Sequence, residues 1–297
     1  MTEPSLLAQA SETLRKLLPR RFRSDLPVVP VVRLAGVIGF STPLRPGLTL
    51  SSVARPLERA FSYRKPAAVA LLINSPGGSA VQSHLVHVRI RKLAEEKSVP
   101  VIAFVEDVAA SGGYMIACAA DEIVADESSI VGSIGVVGGS FGFHGLLEKI
   151  GVERRLYTSG ERKAMLDPFL PEKPEDVARL KGIQREIHDS FITLVKARRG
   201  PALAPSDADL FSGEYWTGRT GLGLGLIDRI GDLRTTLRER FGEEVQTPLI
   251  TGPRSLLGRA APGIAEAVRP GLSGRPTFAE DMLSTMEARA LWARFGL

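Results

Sequence analysis

The sequence predicts an α/β fold: layers of mostly parallel β-sheet with flanking helices. Three observations predict it. Ala67–Ile73 (AAVALLI) is a continuous apolar run of strand length, the pattern of a strand buried on both faces. Val101–Val105 (VIAFV) is a second such run. Segments of helical spacing lie between and after them, so strand and helix candidates alternate along the chain.

The elements follow in order. Pro27–Gly39 is a valine-rich strand in which Pro30 disfavours a central ladder position. Leu44–Leu50 reads as a loop and Ser51–Ala60 as a helix. After the Ala67–Ile73 strand, Asn74-Ser75-Pro76-Gly77-Gly78 is a strong turn signal. Ser79–Lys97 has helical spacing, with Val81, Leu85, Val88 and Leu93 apolar. The VIAFV strand then runs toward a small-residue turn, Ala109–Gly113, and a compact apolar helix, YMIACAA. Glu122–Ala125 is a short strand, Ile130–Val137 a glycine-interrupted apolar segment, His144–Ile150 a helix and Glu153–Thr158 a strand. Pro174–Arg199 is a long amphipathic helix whose stripe is Val177, Leu180, Ile183, Ile187, Phe191, Leu194 and Val195. Gly213–Gly231 mixes a glycine-rich turn with an apolar run, and Leu233–Phe241 is a short charged helix.

This pattern divides the chain into a basic amphipathic N-terminal segment (1–25), a catalytic-type α/β core (26–242) and a C-terminal tail (243–297). The tail is rich in Pro, Gly, Ser and Arg over 252–276 and ends in a helix candidate, 279–295.

Composition limits the function classes. The 297 residues are 44% hydrophobic and 24% charged, enough for a sizeable core. The net charge of +5 is dispersed, with denser groups at Arg15–Arg23 and Lys196–Arg199. Aromatics make up 6% of the chain and do not interleave with the basic residues, which argues against nucleic acid. The single cysteine, Cys118, excludes an intramolecular disulfide and reads as a small core residue. The sequence has no run of about 18 apolar residues and no secretory signal, so a cytoplasmic protein is expected. Residues 5–18 form an amphipathic pattern that would suit a peripheral membrane contact or a partner.

The chemistry gathers at three loops that follow strand candidates. Ser111 stands at a strand-to-helix turn, where unpaired helical N–H groups favour an anion; it is the candidate nucleophile, against the plain reading of a helix cap. The Asn74–Gly78 turn can aim backbone amides at a ligand oxygen, one half of an oxyanion hole, and the Gly112 amide can supply the other half. The third loop, Ser159–Lys163, carries a lysine. His84, His87, His144 and His188 read as surface or packing residues, and no metal-binding spacing or cofactor motif is present. A lysine can act as base when it is neutral, and burial favours the neutral form.

Four segments together, LLINSPGGSA (71–80), ASGGYMIACAADEIVAD (110–126), GSIGVVGG (132–139) and SGERKAMLDPF (159–169), resemble the signal peptide peptidase A (protease IV) family of serine peptidases, within the ClpP/crotonase superfamily. The resemblance implies a ClpP/crotonase-like fold, a Ser–Lys dyad and no cofactor. It implies Ser111 as nucleophile, Lys163 as general base, Ser133 as the hydroxyl that orients the lysine, and Gly78 and Gly112 as oxyanion amides, with Gly77 as the rival for the first. It also implies apolar, extended peptide substrates such as residual signal peptides, and a ring-like homo-oligomer. Many family members carry an N-terminal membrane anchor that this sequence does not show. Two other readings share the same residues: a crotonase-like enzyme acting on acyl-CoA thioesters, which needs no serine nucleophile, and a catalytically silent membrane-associated scaffold. In a self-assembling peptidase, the C-terminal tail could lie in its own or a neighbour's groove.

Overall fold

The computed structural model describes residues 26–39, 47–160, 162–204, 207–251, 286 and 289–297. The expectations for segment 1–25 and for the Pro/Gly/Ser-rich stretch 252–276 lie outside the described residues.

Five parallel strands form the main layer. They are β1 (Val31–Ala35), β2 (Val69–Ser75), β3 (Val101–Ala110), β4 (Glu122–Ala125) and β7 (Arg229–Ile230), in the order β1-β2-β3-β4-β7. Helices α1 (Leu50–Phe61), α2 (Ala80–Lys97) and α3 (Gly112–Ala117) return the chain between successive strands. Alternation along β3 shows why the run is apolar throughout. Val101, Ala103 and Val105 pack into the larger core, whereas Ile102 and Phe104 pack into a second cluster with Leu237. Leu237 belongs to α8 (Leu233–Phe241), so both faces of the sheet are covered. Residues 245–250 run alongside β1, with bridges Val28 to Gln246 and Val31 to Leu249.

The β3 strand is longer than the VIAFV run suggests. Its first half pairs with β4 through Ile102–Val105, and its second half pairs with β5 (Ile130–Gly132) through Val108–Ala110. Glu106 and Asp107 mark the handover, because their carboxylates turn outward to Arg33 (3.0 and 2.9 Å) and Asn74 (2.6 Å). Ala109 and Ala110 are therefore strand rather than turn, and the bend falls on Ser111 alone. The same sheet branches through β5 to β6 (Tyr215–Thr217), antiparallel to β5.

Two expectations change. The segment 152–158 is extended and exposed but pairs with no strand among the described residues. It sits on an arm that follows β5, carries α4 (His144–Lys149) and is held by its own contacts: Phe143 stacks on Phe169 at 5.4 Å, Arg154 lies over the Phe169 ring, and Arg154 pairs with Asp167. Long helix α5 (Pro174–Arg199) buries its stripe only toward its C-terminal end, at Phe191 and Val195. Ile183 and Ile187 remain 42% and 36% exposed. The basic end of α5 is internal: Arg198 donates to the carbonyls of Cys118 and Ala120 (both 2.9 Å) after α3, and Arg199 pairs with Asp228 at 2.7 Å. Among the described residues, no helix is long and apolar enough to cross a membrane.

Candidate active site

Strands β3 and β5 carry Ser111 and Ser133 out of the sheet side by side. Ala110 is paired with Gly132, and the Ser111 N–H donates to the Gly132 carbonyl at 2.8 Å. Both serines have positive φ, 52° at Ser111 and 54° at Ser133. At Ser111 the backbone (φ 52°, ψ −120°) makes a sharp strand-to-helix turn that an ordinary residue adopts only under strain, as in the nucleophile elbow of other hydrolases. Its side chain makes no cap bond, which leaves the hydroxyl for other work. Ser133 is buried, and its N–H donates to the Glu214 carbonyl at 2.6 Å, tying the loop to the residue before β6.

The Asn74–Gly78 turn lies against this pair. Ser75 Oγ donates to the Gly36 carbonyl at 2.7 Å and accepts the Gly77 N–H at 3.2 Å. Gly77 is buried against the nucleophile: a Cβ there would stand 2.8 Å from Ser111 Cβ. Gly78 forms a parallel bridge to Ile38, in which Ile38 N–H bonds Gly77 O and Ser79 N–H bonds Ile38 O. In that pattern the bridged residue's own N–H and C=O face away from the partner strand. The Gly78 amide is thereby turned from Ile38, while the Gly77 amide is already engaged by Ser75.

Ser111, Gly112 and Gly78 line one cleft of about 740 Å³. Its far wall is apolar, built from Met115, Val136, Val137, Phe141, Ile187 and Phe191. Ala290, Leu291 and Arg294, distant in sequence, line it too. Lys163 is placed differently. It lies in a turn of the arm with its N–H on Gly160 O (3.2 Å), is exposed, and is not among the residues that line the cleft. The structure thus sets Ser111, Gly78 and Gly112 along one cleft, pairs the strand residues that precede Ser111 and Ser133, and leaves Lys163 exposed on the arm.

Of the residues that support the site, Ser75 was not foreseen from sequence, whereas His87, His188 and Cys118 were read as surface, packing or core residues. Ser75 has only the turn signal to mark it. His87 packs beneath α3, where burial pushes its imidazole down to about 4; the neutral ring's Nδ1–H donates to the Met115 carbonyl at 2.9 Å. His188 Nε2 lies 3.0 Å from the carbonyl of Ile134, next to Ser133. Cys118 is fully buried and its thiol is pushed up to about 12 by that burial, which makes it an inert core residue.

The chain is similar to several known proteins. A solved structure, a serine-to-alanine variant of the 1510-N membrane-bound stomatin-specific protease, aligns with a TM-score of 0.47 and 15% identity, covering 77% of this chain and 99% of that one. The chain is 54% identical over 288 residues to the Na(+)/H(+) antiporter NhaA of Brucella abortus (strain 2308), a match covering 96% of this chain and 39% of that protein. It is 37% identical over 171 residues to the chloroplastic serine protease SPPA of Arabidopsis thaliana, covering 57% of this chain and 25% of that protein. The chain therefore spans about two-fifths of the length of the Brucella relative and a quarter of the Arabidopsis one. The model of peptidase family S49 matches residues 93–245, more than half of the chain and the stretch that holds both serines and the lysine; the chain belongs to peptidase family S49.

Proposed function

We propose that this chain is a serine endopeptidase in which Ser111 attacks the peptide carbonyl and Lys163 of an adjacent copy serves as general base. The observation that carries the proposal is Ser111 itself: an uncapped serine on a strained strand-to-helix turn, opening into a cleft beside Gly78 and Gly112. The attacked carbonyl oxygen becomes an oxyanion between the Gly78 and Gly112 amides, donors that do not reorganise during the reaction. The lysine takes the Ser111 proton as the C–O bond forms and returns it to the leaving amine as the C–N bond breaks. Water then hydrolyses the acyl-enzyme by the same route. Ser133, buried beside Ser111, is the hydroxyl that would hold the incoming amine with its lone pair toward Ser111.

A second copy is invoked because Lys163 does not line its own chain's cleft. The arm that bears it exposes Val137, Phe141, Leu146, Ile150, Val152 and Tyr157, with Phe141 at 79% and Tyr157 at 88%. An apolar face of that extent is unusual on a monomer and suits burial against another copy.

Substrates are read as extended peptides with apolar side chains, since the cleft that Ser111 lines is also lined by Met115, Val137, Phe141 and Phe191. Residual signal peptides fit that description. The match to part of a chain named for a membrane antiporter supports work close to a membrane.

A serine-directed fluorophosphonate tests the reading, with the adduct located by mass spectrometry. Wild type should carry it on Ser111, and Lys163→Ala should lose it while keeping its fold. Labelling of Lys163→Ala at the wild-type rate removes Lys163 from the mechanism, and failure to label folded, assembled wild type removes the serine nucleophile.

A further inference from the structure

We infer that His188, on helix α5, is a positioning residue for the reaction: it fixes the loop that carries Ser133 and thereby the aim of the general base. The inference rests on the reading of Ser133 as the hydroxyl that orients the lysine amine.

Ser133 is a residue that must be held. Its φ of 54° is left-handed, a conformation that a serine keeps only where its surroundings fix it. On the amino side the ties are backbone bonds: the Ser111 N–H donates to the Gly132 carbonyl at 2.8 Å, and the Ser133 N–H to the Glu214 carbonyl at 2.6 Å. On the carboxyl side a side chain takes part. His188 Nε2–H donates to the Ile134 carbonyl at 3.0 Å; a carbonyl only accepts, so that ring nitrogen carries the proton.

This bond reaches Ser133 through one peptide plane. The plane that contains the Ile134 carbonyl also contains the Gly135 N–H, which donates back to the Ser133 carbonyl at 3.0 Å. His188 therefore holds one end of the plane and Ser133 the other, a chain of two bonds that polarise one another. Helix α5 turns the rest of the same face toward the loop. Gln184, one turn earlier, stands where a Cβ on Gly138 would lie 2.9 Å from its Nε2. Ile187 and Phe191 line the cleft beside Val136 and Val137. Such apolar contacts set how closely the helix lies, but they do not fix the rotation of a peptide plane. Without the His188 donor the Ile134 plane can turn, Ser133 shifts against Ser111, and the amine it holds loses its aim.

His188→Met and His188→Gln form the test pair. Both side chains have similar length and helix propensity, and glutamine alone keeps an N–H at the reach of Nε2. His188→Met should lower kcat on an apolar peptide about tenfold and slow fluorophosphonate labelling of Ser111 by a similar factor, with KM changed by less than about twofold. His188→Gln should restore both rates. Amide exchange, read by mass spectrometry on fragments spanning 130–140, should be about tenfold faster in His188→Met and close to wild type in His188→Gln. Wild-type rates in His188→Met, or equal losses in both variants, overturn the inference. So does loss of the folded state by His188→Met, which would assign the bond to stability alone. If wild type neither hydrolyses peptide nor takes the fluorophosphonate while the exchange difference is present, the peptidase reading fails and the hold of His188 on the loop stands.

Discussion

At Ser111 the backbone holds φ 52° and ψ −120°, a conformation that costs a side-chain-bearing residue on the order of 1–3 kcal/mol. The strain is the means of projecting the hydroxyl, and it makes a stability prediction that is separate from catalysis. Ser111→Gly and Ser111→Ala should both lose fluorophosphonate labelling. Ser111→Gly should nevertheless be the more stable of the two by about 1 kcal/mol, after allowing for the extra freedom glycine has when unfolded. Thermal unfolding of the two variants side by side checks this, and equal midpoints would mean that the turn carries no strain. Ser111 was legible because a strand, a small-residue turn and an apolar helix follow one another in the sequence. The position of Ser133 was not, since a serine in a glycine-rich loop looks the same anywhere; only the resemblance singled it out, and the Ala110 to Gly132 pairing sets it beside Ser111.

Short helix α3 is held from three sides. Arg198 caps its C-terminal end, Tyr114 donates to the Leu226 carbonyl at 2.8 Å, and His87 supports Met115 from α2. The His87 imidazole has a folded pKa of about 4 against 6.5 when free, because burial disfavours its charge. The folded chain therefore refuses a proton that the unfolded chain accepts. Its contribution is complete above pH 6.5 and is lost as pH falls from 6.5 toward 4, by about 2 kcal/mol at pH 5. His87→Gln can still donate to the Met115 carbonyl and does not titrate. Its unfolding midpoint should fall less between pH 7 and pH 5 than that of wild type; a parallel fall would assign the acid sensitivity to other groups. At this scale the buried strands and the capped helices were readable, because apolar runs and helical spacing are local signals. Segment 152–158 and the exposed half of the α5 stripe were misread for one reason. Each has the local pattern of a packed element, but the sequence does not say which surface it packs on, and both stay exposed among the described residues.

The whole molecule sets the serine pair on the sheet and the lysine on an arm. Their separation predicts complementation. Ser111→Ala and Lys163→Ala chains should each be inactive alone. Mixed in equal amounts and allowed to exchange, they should recover about a quarter of wild-type activity, since each intact site draws its serine from one chain and its lysine from the next. A mixture as inactive as its components would place both groups in one chain. Lys163 was singled out as base only through the resemblance, and spacing along a chain cannot report position in the fold; its exposed place on the arm was visible only in the structure.

Under the proposed mechanism, a chain that borrows its base from a neighbour would be harmless on leaving the ribosome. Other proteases reach that condition with a propeptide that must later be cut off. Here the exposed arm would do it through assembly: a lone chain would stay silent, meeting its neighbour would switch it on, and sufficient dilution would return it to silence.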